Sequence, residues 1–180
     1  MNHPTRVECE ILLNKYDTPD HVKKHCRAVA DTAYVIGCAL KEKGFSLDTD
    51  LIMSAGMLHD ILRVRDKHWE AGADLVKSLG YRAESEIIRV HMTYSPFSHI
   101  EDVTETDLVC LGDRLVKEDR YVGLDERIQY IIDKAVNKGK PEAKPFILEK
   151  KKDTQRFIDE IEEVIGAPVD RLMEADKMDS

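Results

Sequence analysis

Between residues 22 and 40 the apolar side chains Val22, Cys26, Val29, Ala33, Ile36 and Leu40 recur at every third or fourth position. An α-helix brings such positions onto one face, whereas a strand would scatter them over both. The pattern commits this stretch to a long amphipathic helix, and its ends are also readable. Thr18 offers a hydroxyl N-cap, Pro19 suits the first helical position and Asp20 the first turn, while Lys41, Lys43 and Gly44 supply a cationic last turn and a stop.

The same periodicity continues along the chain. A shorter helix is expected over residues 7–16. Asp48 can cap the next, which carries Leu51, Ala55, Leu58, His59 and Leu62 on one stripe with Ile52, Gly56 and Asp60 beside it, Gly56 allowing close helix approach. A basic turn with Arg63, Arg65 and Lys67 leads to helices over 68–79, ended by Gly80, and 83–92. Ser95 and Pro96 open a loop before three more amphipathic patterns at 104–117, 124–136 and 146–165, with Pro141 and Pro145 marking the last break. The residues from 174 to 180 are polar enough to fray. The expected fold is all-α: one bundle of about six to eight helices over residues 1–180, with its core at about 18–135 and the 146–165 helix packed on it.

Composition narrows the function classes. A chain of 180 residues with 42% apolar side chains can bury a core without disulfide or metal staples. Its net charge of -8 argues against a scaffold that neutralises nucleic-acid phosphates. No apolar run resembles a signal peptide or a membrane span, so no membrane partner and a cytoplasmic location are expected. Cys9, Cys26, Cys38 and Cys110 show no CxxC spacing and read as free thiols.

The histidines and two aspartates carry the chemistry. His25 shares a stripe with Val29, Thr32 and Ile36, and His59 a face with Ala55, Leu58 and Leu62, so both should point inward. Asp60 sits inside the apolar run MLHDIL, and Asp113 shares a face with Val109, Gly112 and Val116. A buried carboxylate is costly unless cations or donors compensate it. His91 ends the helix that buries Ile87 and Ile88. Imidazoles and carboxylates converging from separate helices make a mixed nitrogen and oxygen site for a divalent ion, for which Mn, Fe, Co, Ni and Zn all qualify.

The order His25, His59-Asp60, Asp113 resembles the H...HD...D signature of the HD-domain metal-dependent phosphohydrolases. KHWEAGADLVKSLGY is similar to that family's H-x-x-x-G-A element, which adds His68, and IIRVHMTYS to the element that adds His91. CLGDRLVKEDRYVGLDERI resembles the segment holding the last aspartate and a downstream arginine. The pattern H...HD...H...H...D spans about residues 18 to 135 and looks most like small bacterial HD proteins that include the symmetrical diadenosine tetraphosphate hydrolases. Arg63 departs from that pattern, since many members carry lysine there.

The resemblance implies that His25, His59, Asp60 and Asp113 hold one metal and that Asp60 bridges to a second, bound by His68 and His91. A bridging hydroxide between two such ions would attack a phosphomonoester or phosphoanhydride of a nucleotide-like small molecule, with His59 and Asp60 central to catalysis. Arg63, Lys117 and Arg120 are the candidate phosphate-binding cations. The same six ligands also serve mixed-valent diiron oxygenases of the HD type, and a third reading is a module that binds a nucleotide or partner without turnover. The 146–165 helix could serve a homodimer, although packing on its own domain explains its stripe equally. His21 is expected at the pocket rim or in water, His3 and His99 as incidental, and Trp69 as core.

Overall fold

The computed structural model describes residues 2–179 and is predominantly helical. Helix α1 (Arg6–Lys15) opens with a capping box in which Thr5 and Glu8 satisfy each other's backbone amides. The long helix α2 (Asp20–Glu42) follows and ends where Gly44, at φ 97°, lets the Phe45 amide reach back to the Leu40 carbonyl at 3.2 Å. That left-handed stop is the one expected from Lys41, Lys43 and Gly44. Its start differs from the expectation. The helix begins at Asp20 behind Pro19, and the Thr18 hydroxyl instead donates to the Ile61 carbonyl at 2.7 Å, tying the chain before α2 to the turn after Asp60.

Helices α3 (Thr49–Leu58) and α6 (Glu105–Leu115) pack on α2, while α4 (His68–Ser78) and α5 (Arg82–Val90) pack on each other and α5 on α3 and α6; Asp48 and Thr104 accept from backbone amides as N-caps of α3 and α6. A two-residue-per-strand ribbon, β1 (Val116–Lys117) paired antiparallel to β2 (Arg120–Tyr121), interrupts the run before α7 (Gly123–Asn137). Helices α8 (Lys144–Ile165) and α9 (Val169–Asp179) complete the described residues. The all-α expectation holds. Among the described residues the α-helices number nine, because α9 lies outside the expectation: it begins at Val169 and runs to Asp179, through most of the stretch from 174 expected to fray.

Two glycines decide how the site is assembled. A Cβ on Gly56 of α3 would lie 2.7 Å from the Ala30 Cα, and one on Gly112 of α6 would lie 2.8 Å from the Val29 carbonyl oxygen. Both helices therefore meet α2 backbone to backbone within one turn of each other, which a side chain at either position would prevent. Gly56 stands three residues before His59, and Gly112 stands immediately before Asp113. Close packing thus brings the chemistry of three helices together.

Two apolar clusters flank this contact. The larger gathers Ile36, Leu40, Ile52, Leu108 and Leu111 with Phe157 and Ile161 of α8; the smaller joins Leu13 of α1 to Met57, Ile61, Ala73, Val76 and Ile88. Phe157 is fully buried and stacks on Phe97, ring centroids 4.9 Å apart. Phe157, Ile158 and Ile161 of α8 are thereby buried within the chain, while Phe146 near its start is exposed. Among the described residues the cysteines are unpaired, and no helix is long and apolar enough to cross a membrane.

Candidate metal centre

The residues singled out as ligands lie at helix ends or within a turn or two of them. His25 is in the second turn of α2 and Asp113 in the last turn of α6, while His59 and His91 directly follow the final residues of α3 and α5. His68 is the first residue of α4, placed by Lys67 in a left-handed conformation at φ 47°. The ends of α3 and α5 point carbonyl groups toward the cluster, and the partial negative charge there favours a cation.

Two overlapping groups result. His25, His59 and Asp60 each offer one donor atom, all within 4.8 Å of one another, and Asp60, His68 and His91 do the same. Asp60 belongs to both. Asp113 joins through His25, whose Nε2 lies 3.1 Å from Asp113 Oδ1. The imidazole rings sit edge to face or tilted, with centroid separations of 5.3 Å for His25–His59, 5.2 Å for His59–His91 and 5.6 Å for His68–His91.

The tautomers suit a metal. His25, His59 and His91 each direct Nδ1 at a backbone carbonyl, of Glu118 at 2.8 Å, Gly56 at 2.8 Å and Ile88 at 2.7 Å respectively. For His59 and His91, donation of the Nδ1 proton leaves the Nε2 lone pair free, the usual arrangement behind a metal-ligating histidine, while His25 Nε2 faces Asp113. His59 Nε2, Asp60 Oδ1 and His91 Nε2 are buried without a hydrogen-bond partner. His68 Nε2 comes within 3.0 Å of Asp60 Oδ1, but not along a hydrogen-bond direction. Buried polar atoms left in this state are costly, and a divalent cation among them would satisfy all three. The donor set therefore fits divalent metal binding.

Electrostatics point the same way. Burial would raise the Asp60 pKa, but His59, His68, His91 and Arg63 outweigh it and hold the carboxyl far below the ordinary carboxylate range. Burial also opposes ionisation of Asp113, and the bond from His25 with the nearby His59 overcomes it, again leaving a carboxylate. Burial keeps His59 neutral by lowering its pKa, whereas at His25 and His91 burial acts in the same sense but is outweighed by Asp113 and Asp60, which raise their pKa values. A neutral imidazole beside permanent carboxylates is the protonation state that ligation requires.

A cavity of about 670 Å³ opens over the cluster, with His25, Asp60, His91 and Asp113 on its wall. Arg63 also lines it, its Nε 3.3 Å from Asp60 Oδ2 and its Nη1 3.0 Å from His68 Nε2. His21 is on the wall as well. Neither Lys117 nor Arg120 lines the cavity. The helix stops at Leu115, and from the ribbon both pair with Glu126, at 3.1 Å and 3.7 Å. Arg120 instead borders a second cavity of about 360 Å³ shared with Arg27 and Asp31.

Sequence reading passed over Lys24, Arg127, Tyr130 and Lys134, which line the main cavity. The last three lie three and four positions apart on α7, a spacing visible in sequence but hidden among ordinary charged residues. His3 is no bystander either: its side chain is nearly buried, bonded to Glu84 at 2.7 Å and facing Asp48 at 3.2 Å. His99 meets Glu160 at 3.0 Å near the surface. Trp69 stands edge-on to His68, ring centroids 5.2 Å apart.

The HD-domain family profile matches residues 22–137, a span that includes both groups and Asp113. The chain belongs to the HD-domain family, most of whose members are metal-dependent hydrolases. An uncharacterized protein of Methanocaldococcus jannaschii is 28% identical over 145 residues, covering 72% of this chain and 85% of that protein. No solved structure matches the chain.

Proposed function

We propose that this chain is a metal-dependent phosphohydrolase acting on a phosphomonoester or phosphoanhydride of a nucleotide-like small molecule. The observation that carries the reading is the convergence of His59 Nε2, Asp60 Oδ1 and His91 Nε2, buried and unsatisfied, beneath a cavity large enough for such a ligand. His25, His59, Asp60 and Asp113 would hold one divalent ion, and Asp60, His68 and His91 a second. Bound there, such ions would polarise a phosphoryl oxygen and make water nucleophilic near neutral pH.

The chain's own residues do the rest. The carbonyls of Gly56, Ile88 and Glu118 fix the imidazole orientations so that the donors need not reorganise. Asp60 and Asp113 stay ionised and face the cavity, while Arg63 presents a guanidinium fork at its edge, suited to phosphate oxygens. The exposed surface carries the acidic excess, screened over about 8–10 Å by salt, so the local cations govern anion binding.

The test is a panel of nucleotides and phosphate esters assayed with Mn, Fe, Co or Ni, alongside elemental analysis of the purified protein. Release of phosphate or nucleoside phosphates is expected from wild type and is expected to vanish in His59→Ala and Asp60→Ala. Metal-dependent turnover surviving both substitutions would overturn the site. Oxygen-consuming turnover with a mixed-valent iron signal would replace hydrolysis by the oxygenase chemistry.

A further inference from the structure

Arg127, Tyr130 and Lys134 share one face of α7 and line the same cavity as Asp60 and Asp113. The cationic ends of Lys117, Arg127 and Lys134 lie 5.3, 5.5 and 5.6 Å from the Tyr130 ring centroid, so one aromatic ring gathers three positive charges. Glu126 neutralises Lys117, but among the described residues neither Arg127 nor Lys134 forms an ion pair. Arg127 Nε is in addition buried with no hydrogen-bond acceptor. Lys24, on another part of the cavity wall, is likewise without an ion pair among the described residues.

Unpaired like charges held close together repel, and a buried guanidinium N–H without an acceptor is costly; both defects are relieved by an anion in the cavity. The other carboxylates on its wall do not supply it. Asp60 and Asp113 belong to the metal centre, and Glu118 and Asp119 sit at the exposed turn of the ribbon without pairing to α7. The seven-residue reach from Arg127 to Lys134 spans about 10 Å along the helix, longer than a single phosphate needs.

We propose that this face of α7 is a subsite for a second anionic group of the substrate, separate from the phosphate that reacts at the metal centre. Arg127 and Lys134 grip it, and Tyr130 positions them. The substrate class is therefore a compound with at least two phosphates, such as a nucleoside diphosphate or a longer phosphoanhydride, in preference to a simple monoester. The inference rests on the phosphohydrolase reading for which phosphate reacts, but the binding subsite stands apart from turnover.

Binding of two probes that lack a hydrolysable bond at the relevant phosphorus tests it: phenylphosphonate, with one anionic group, and α,β-methylene-ADP, with two. Both are titrated calorimetrically into the metal-loaded protein. Wild type should bind the second more tightly. Arg127→Gln should weaken the methylene nucleotide about tenfold while leaving phenylphosphonate within about twofold, as expected for loss of a charge-assisted contact. Lys134→Gln should act in the same direction, and Arg127→Lys should restore part of the loss. Metal content should not change in any of them. Equal loss of both probes, no loss of either, or no preference in wild type would overturn the proposal. A protein that discriminates in this way and hydrolyses nothing would refute the hydrolase reading while leaving the subsite in place.

Discussion

His59 directs its Nδ1 at the carbonyl of Gly56, 2.8 Å away, and the missing side chain of that same Gly56 is what lets α3 touch α2 at Ala30. One residue sets both the helix spacing and the tautomer of a central histidine. Gly56→Ala should therefore be far more disruptive than a one-carbon change suggests. The added Cβ would meet the Ala30 Cα at 2.7 Å, so a loss of about 1–3 kcal/mol in denaturant unfolding is expected, with reduced metal content.

Gly72→Ala is the matched contrast. Its Cβ would lie 3.5 Å from Ile61 and Ile88, ordinary contact, in the middle of α4. The substitution should be neutral or stabilise the protein by up to about 1 kcal/mol through reduced freedom of the unfolded chain. A loss comparable to that of Gly56→Ala would show that helix packing is not what separates the two positions.

Asp60 is shared by both donor groups, whereas His25 and His91 each serve one. Asp60→Asn should strip the protein of nearly all bound metal, and His91→Ala should lower the stoichiometry while the group of His25, His59 and Asp60 still loads. Elemental analysis after dialysis, with circular dichroism as a fold control, reads this directly. Equal metal retention by the two variants would dissolve the two-group description.

Phe157 fills the larger core from α8 and stacks on Phe97 in the loop before α6. Phe157→Ala should cost about 3–5 kcal/mol in unfolding free energy, the range for a buried aromatic truncated to a cavity. A loss under about 1 kcal/mol would mean that α8 contributes little to the fold.

Glu160 ties α8 to the same loop through His99 at 3.0 Å and the Ile100 amide at 2.9 Å, and also accepts from Arg156, one turn earlier on α8, at 2.8 Å. Partial burial would raise its pKa, but these donors prevail and lower it. A carboxyl depressed in the folded state stabilises above its unfolded pKa and loses that contribution as pH falls through the folded value. The stability gap between wild type and Glu160→Gln should thus be steady just above about pH 5 and shrink on further acidification. A gap that widened below pH 5 would contradict the assignment.

The sequence made the helices legible wherever apolar residues kept a spacing of three or four and an end signal was present, as in the Gly44 stop of α2 and the caps of α3 and α6. It missed α9, because Val169 and Met173 are too few to mark a face before burial against the larger core is known. The histidine and aspartate positions could be read because buried polar residues stand out against an apolar pattern. Lys117 and Arg120 illustrate the opposite: nothing local announces that Leu115 ends the helix and that the ribbon carries both to Glu126. Arg127, Tyr130 and Lys134 could not be placed without knowing which face of α7 meets the cavity, and surface lysines of identical appearance abound.

The Glu118 carbonyl that receives His25 Nδ1 belongs to the turn of the ribbon, and the ribbon leads within a few residues into α7. The peptide group orienting His25 thus lies five residues before the helix that bears Arg127. By thermodynamic reciprocity, an anion on α7 that raises ion affinity by some factor must itself be bound more firmly, by the same factor, once the ion is in place.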